Sequence, residues 1–90
     1  MMNKCIKTDY NSYIVIPDSN CEFMIRREAY SNTYQIIIRM YTSGDKVHER
    51  LIWDGFSSKN EAIEYIEVLM HRLITGVDCI ITRNSIAGGS

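Results

Sequence analysis

Two histidines (His48, His71), three cysteines (Cys5, Cys21, Cys79) and the closely spaced carboxylates Glu61, Glu64 and Glu67 are the residues of this 90-residue chain whose types or spacing first suggest metal ligation or proton transfer. Zinc sites draw on Cys and His at short, repeated spacings. Nucleophilic catalysis needs a Ser or Cys beside a base that a third group orients. Neither pattern is present. The histidines fall on different elements, with no cysteine or carboxylate at a ligand spacing. The cysteines are odd in number and form no C-x-x-C pair. No G-x-S-x-G, P-loop or G-x-G-x-x-G occurs. Glu61, Glu64 and Glu67 recur along one helix edge, as charges on a solvated face do. The sequence therefore predicts no metal, no cofactor and no enzymatic activity.

What remains is recognition chemistry. Alternation from Tyr34 to Trp53 predicts a β-hairpin with two unlike faces. Tyr34, Ile36, Ile38 and Met40 share one side of the first strand with Val47, Leu51 and Trp53 of the second, and this side is expected to be core. The other side collects Arg39 and Tyr41 with Lys46, His48 and Arg50, and the preceding strand adds Arg26. Glu22 and Glu28 oppose them, so with His neutral the expected face carries a local charge of about +2 on a chain of net charge −1. Met24, Ile37 and Ile52 are interleaved. Arg and Tyr are enriched among residues that carry binding energy. Stacking of single-stranded bases asks for more rings than Tyr41 alone. Glu49 breaks the alternation, as a bulge or an inward charge on an edge strand would.

These residues need elements to hold them. Tyr13–Ile16 and Cys21–Glu28 read as strands, separated by the turn formers Pro17-Asp18-Ser19-Asn20. Tyr30–Thr33 leads into the hairpin, whose loop is placed at Thr42–Asp45. Ser58-Lys59-Asn60-Glu61 is a capping box that opens a helix. Ala62, Ile63, Ile66, Leu69, Met70, Leu73 and Ile74 keep helical spacing up to a stop at Gly76. Val77–Arg83 is the last strand. The order β-β-β-β-α-β predicts a small two-layer α+β domain, with a mostly antiparallel sheet and one amphipathic helix on one face. Residues 1–11 are read as a flexible N-terminal segment, 12–84 as a single domain and 85–90 as a flexible tail.

Composition narrows the class. Ninety residues at 46% hydrophobic content suit one folded domain. The core of so short a chain is thin, which makes a homodimer a natural way to bury more surface. The near-neutral balance gives neither the positive excess of a non-specific nucleic-acid binder nor the negative excess of a DNA mimic. No apolar h-region opens the chain, and no apolar run approaches the ~20 residues of a membrane span. A cytoplasmic protein with reduced thiols is expected. Fourteen Ile against three Leu suggest an AT-rich coding genome. The reading that results is a small non-enzymatic interaction protein. It would modulate or inhibit a larger protein partner, in the manner of phage or mobile-element accessory proteins that act against bacterial defence systems. Arg26, Arg39, Tyr41, His48, Arg50, Glu64 and Glu67 are its expected contact residues. Binding of nucleic acid or a nucleotide through the arginine-bearing sheet face is the alternative.

Overall fold

In the computed structural model of the chain, the described residues are 4–16, 21–42, 46–76 and 79–87. The turn read at Pro17–Asn20, Ser43–Asp45 of the hairpin loop, Val77-Asp78 of the last strand and the end of the tail, 88–90, lie outside them. The elements run β1 (Cys5–Lys7), β2 (Tyr13–Val15), β3 (Cys21–Glu28), β4 (Thr33–Thr42), β5 (Lys46–Phe56), α1 (Lys59–Thr75), β6 (Ile80–Ile81) and α2 (Arg83–Ala87). The protein is a small α+β domain with two three-stranded sheets, β2-β1-β6 and β3-β4-β5, and one long helix packed against them. All strand pairs are antiparallel except β1 with β6. No described helix is long and apolar enough to cross a membrane.

Residues 4–11, read as part of a flexible N-terminal segment, belong to the fold; residues 1–3 lie outside the described residues. Ile6 of β1 stands opposite Ile14 and Ile81 in the register, and all three are at most 2% exposed. A three-residue strand is too short to show periodicity in sequence, so Ile6 gave no signal. The turn after it is held by Thr8, whose Oγ1 accepts from the backbone N–H groups of Tyr10 and Ser12 at 3.2 and 3.3 Å. Asn11 supplies the left-handed residue there (φ 58°), a conformation that asparagine tolerates well. At the other end, among the described residues of the expected last strand, Ile80–Ile81 are strand. Arg83 opens a short helix whose Ile86 is 7% exposed, so residues read as tail also contribute to the core.

Helix α1 forms where the capping box predicts. The Glu61 N–H donates to Ser58 Oγ at 3.1 Å, while the Glu61 carboxylate accepts from Ser57 Oγ at 2.8 Å. Ala62 and Leu69 are fully buried and pack with Ile36, Ile38, Ile52, Trp53 and Phe56. Tyr65 meets the ring edges of Phe56 and Trp53, with centroids 4.8 and 6.3 Å away. At the C-terminus, Lys4 Nζ donates to the Arg72 carbonyl at 2.9 Å and also to that of Gly76. A lysine remote in sequence thus neutralises the negative helix end and fastens β1 to it. Gly76 ends the helix in extended backbone, and a Cβ there would meet the Arg72 carbonyl oxygen at 2.6 Å.

The hairpin departs from strict alternation in one consequential way. Strand β5 carries two register shifts against β4, on either side of Ile36. Each places an extra residue on β5, as a β-bulge does. Ile52 and the adjacent Trp53 are therefore both fully buried, although neighbours in a regular strand face opposite ways. Gly55, at φ +79°, takes up the second shift in a conformation that disfavours a side chain. The first shift inverts the whole N-terminal half of β5. Val47, Glu49 and Leu51 stand opposite Tyr41, Arg39 and Ile37 on the solvent side. His48 and Arg50 stand opposite Met40 and Ile38 on the helix side.

Candidate functional site

Three surfaces hold the candidate residues. The solvent face of β3-β4-β5 is built by the register. Glu22 faces Arg39, Met24 faces Ile37, Arg26 faces Gln35 and Glu28 faces Thr33, with Val47, Glu49 and Leu51 added from β5. Its charges are two arginines against three glutamates, so the expected local +2 is absent. The cause is the bulge, which moves Lys46, His48 and Arg50 to the other side and brings Glu49 in. Glu49 then becomes the hub of the face. Arg39 donates to its Oε2 through Nε at 2.9 Å and Nη2 at 2.7 Å, and Arg26 donates to its Oε1 at 2.8 Å. Arg39 also reaches Glu22 at 3.4 Å, and the Tyr41 hydroxyl donates to Glu22 at 2.7 Å. Hydrogen bonds from Arg39 and then Arg26 hold the Glu49 carboxyl below the ordinary glutamate range.

This ladder performs a structural task. Arg26 on β3 and Glu49 on β5 join hands across the central strand, and the midpoint of that crossing is Ile37. Ile37 points to the solvent side, yet it is only 3% exposed. Met24 and Leu51 flank it in the register. The arginines that the sequence marks for phosphate or partner contact are thus engaged within the face, together with Tyr41. His48 and Arg50 lie on the opposite side of the hairpin and are exposed, like the whole stretch Lys46–Arg50. Glu64 and Glu67 are exposed on α1. The structure therefore brings Arg26, Arg39 and Tyr41 together and separates them from His48, Arg50, Glu64 and Glu67.

The second surface is the solvent face of β2-β1-β6, which sequence reasoning did not single out. Its inner row, Ile14–Ile6–Ile81, is core. The register places Val15, Cys5 and Ile80 in one outer row and Tyr13 with Lys7 in the next. Tyr13 is 55% exposed, and Val15 and Ile80 are each 53% exposed. Half-exposed aliphatic and aromatic side chains in contiguous register positions form a patch rather than scattered surface residues. The signal in sequence was Tyr13-Ile14-Val15, a run apolar on both faces. Its second face was uninterpretable until β1 and β6 were known to lie beside it.

The third surface is a polar corner where the β1–β2 turn meets β5 and α2. Arg83 Nη1 donates to Asp9 Oδ2 and to the Asp54 carbonyl, both at 2.8 Å. Its guanidinium lies 4.4 Å from the centre of the Phe56 ring. Asp9 Oδ2 also accepts from the Asp54 N–H at 3.0 Å, and the Tyr10 hydroxyl donates to Asp54 Oδ2. That bond to the Asp54 carboxylate raises the Tyr10 pKa above its ordinary value. Beside the corner lies an open recess of about 260 Å³, lined in part by Lys7, Thr8, Asn84 and the edge of Trp53. The Trp53 indole N–H donates to the Lys7 carbonyl at 2.9 Å. Every side chain of this constellation that is central to it has a structural partner. It ties three elements together and assembles no nucleophile with a base. Among the described residues, no group of three or more His, Cys, Asp or Glu side chains is placed to hold a metal ion. No known protein family, no curated protein and no solved structure matches this chain.

Proposed function

We propose that this protein is a non-enzymatic interaction domain that docks a larger protein partner through the solvent face of its β2-β1-β6 sheet. The observation that carries this reading is the half-exposed row Val15–Cys5–Ile80 with Tyr13 beside it. Exposed contiguous apolar surface of this kind marks sites where another protein removes it from water. Tyr13 supplies the aromatic anchor typical of such interfaces. The charged face of the other sheet is the weaker candidate for a phosphate-bearing partner, because its two arginines are paired with Glu49 and Glu22 and, with Glu28, the face carries a net negative charge. A phosphate ligand would meet three carboxylates beside the two arginines, which speaks against the nucleic-acid reading. Inhibition of a defence enzyme by a phage-encoded domain is one biological setting that this mode of action fits.

Affinity capture with variants tests the proposal. Tagged wild-type protein, Val15→Asp and Arg39→Glu are each used to retain proteins from cells of the source, with folding of each variant confirmed by thermal melting. A partner held by wild type and Arg39→Glu but lost by Val15→Asp supports the reading. Retention that ignores Val15, or fails only in Arg39→Glu, removes it. A gel shift with single- and double-stranded DNA at low salt is expected to show no complex. A salt-sensitive complex that Arg39→Glu abolishes would establish the nucleic-acid alternative instead.

A further inference from the structure

We infer that two copies of this protein associate through the free edge of β3, pairing their β3 strands antiparallel about a two-fold axis at Met24 and closing an apolar groove beside that edge. The sheet order leaves β3 outermost, and among the described residues its strand pairing is to β4 alone. An outermost strand of eight residues offers backbone donors and acceptors along its outer side for a further strand. Next to it runs a groove of about 400 Å³ between β3 and α1, lined by Ile16, Cys21, Phe23, Ile66, Met70 and Leu73 and apolar apart from Glu22. Met70 is 39% exposed and Ile74 75% exposed. With Ile66 they form an i, i+4, i+8 ridge on the helix, an apolar border that the fold leaves uncovered.

The charges of β3 select a second copy as the occupant. Even-numbered residues of β3 face solvent and odd-numbered residues face the helix, so a two-fold axis normal to the sheet must oppose residues of like parity. Two centres keep seven of the eight strand residues paired, Met24 and Ile25. Centring on Ile25 sets Glu22 against Glu28 of the partner subunit, and directly opposed like charges destabilise a sheet. Centring on Met24 sets Glu22 against Arg26 of the partner subunit, twice by symmetry. On the helix side it sets Phe23 against Ile25 of the partner subunit, also twice, at the mouth of the groove. Glu22 and Arg26 are about half exposed at their side chains. A carboxylate and a guanidinium each have hydrogen-bonding capacity beyond their present bonds.

The helix geometry agrees. Helix α1 lies over β3, β4 and β5, so across such an interface the two helices sit about three strand spacings, ~14 Å, apart. Helices in direct contact pack at ~8–10 Å. The remaining gap is one that Met70 and Ile74 from both copies fill. The product is a six-stranded sheet with both helices on one side.

Sedimentation equilibrium tests this over about two orders of magnitude in concentration, since mass action governs the populations. The average mass is expected to rise from 10.4 kDa toward twice that value. Glu22→Arg places like charges opposite one another twice and is expected to hold the mass at the monomer value. The double exchange Glu22→Arg with Arg26→Glu restores the rise. A second measurement avoids dependence on those charges. Met24→Cys brings two thiols face to face, with Cα atoms ~4.5–5.5 Å apart, within disulfide reach. Mild oxidation is expected to yield a covalent dimer for Met24→Cys, and none for Arg26→Cys, whose counterpart lies ~13 Å along the strand. A wild-type monomer at every concentration, association that Glu22→Arg leaves intact, or equal cross-linking at positions 24 and 26 would overturn the inference.

Discussion

Replacing Ile6 by alanine tests whether the first strand is part of the core. Ile6 is fully buried between Ile14 and Ile81, in a segment that polar neighbours disguise. The substitution removes three carbon atoms. At ~0.8 kcal/mol per buried methylene this forfeits about 2.4 kcal/mol of transfer free energy, and the cavity left behind raises the loss into the ~2–5 kcal/mol range of such truncations. A domain of 90 residues has a total stability of roughly 5–13 kcal/mol, so the loss is a large share of it. The midpoint of thermal unfolding should fall by at least ~10 °C, since 1 kcal/mol moves a domain of this size by ~4–8 °C. Urea unfolding followed by fluorescence is well suited, because the single Trp53 is buried and bonded to the Lys7 carbonyl of the same strand. The matched control is Ile80→Ala at a half-exposed position of the adjoining strand, expected to change stability by no more than ~1 kcal/mol. If Ile6→Ala behaves like this control, β1 is not packed as described and the placement of the β2-β1-β6 sheet is wrong.

Two further outcomes follow from local geometry. Gly76→Ala puts a Cβ 2.6 Å from the Arg72 carbonyl oxygen, backbone that can move only by opening the last helical turn, and should destabilise by about 1–3 kcal/mol in a urea titration; an unchanged midpoint would show that the helix end is looser than described. Glu49 should titrate below the ordinary value of about 4.3, because Arg39 and then Arg26 bond its charged form. A carboxyl with a depressed folded pKa contributes stability that is present above the unfolded value and lost as pH falls through the folded one. Carbon-13 NMR of the side-chain carboxyls checks this, and a midpoint at or above the free value would mean that the ladder does not persist in solution.

Much of the scaffold was legible because its signals are local. The capping box at Ser58 and the stripe through Ala62, Ile66, Leu69 and Leu73 define α1. The alternation of Cys21–Glu28 and the β-branched run Ile36–Ile38 define β3 and β4. The candidate surfaces were less legible, for two physical reasons. First, parity propagates: one extra residue at Ile52–Trp53 turns every side chain before it to the other face. That single shift converted an expected cationic face into an internally paired one of net charge about −1 and assigned His48 and Arg50 to the helix side. The misfit of Glu49 was the one sequence trace of the bulge. Second, β1, β6 and α2 are too short for periodicity and are fixed by distant partners. Cys5 N–H donates to the Cys79 carbonyl at 2.8 Å, and Lys4 caps a helix that ends about seventy residues later. The apolar row Val15–Cys5–Ile80 is assembled only by those non-local pairings, so no window of sequence could reveal it.

Hydroxyl-radical footprinting of the protein, free and bound to the partner retained by affinity capture, tests the proposed docking face most directly. Tyr13 and Tyr41 are 55% and 43% exposed in the free protein, so both should be oxidised there, and each reports on a different sheet. In the complex, Tyr13 and Ile80 are expected to be protected while Tyr41 keeps its reactivity. Protection of Tyr41 with Tyr13 still open would contradict the proposal and return the binding site to the face that carries Arg39.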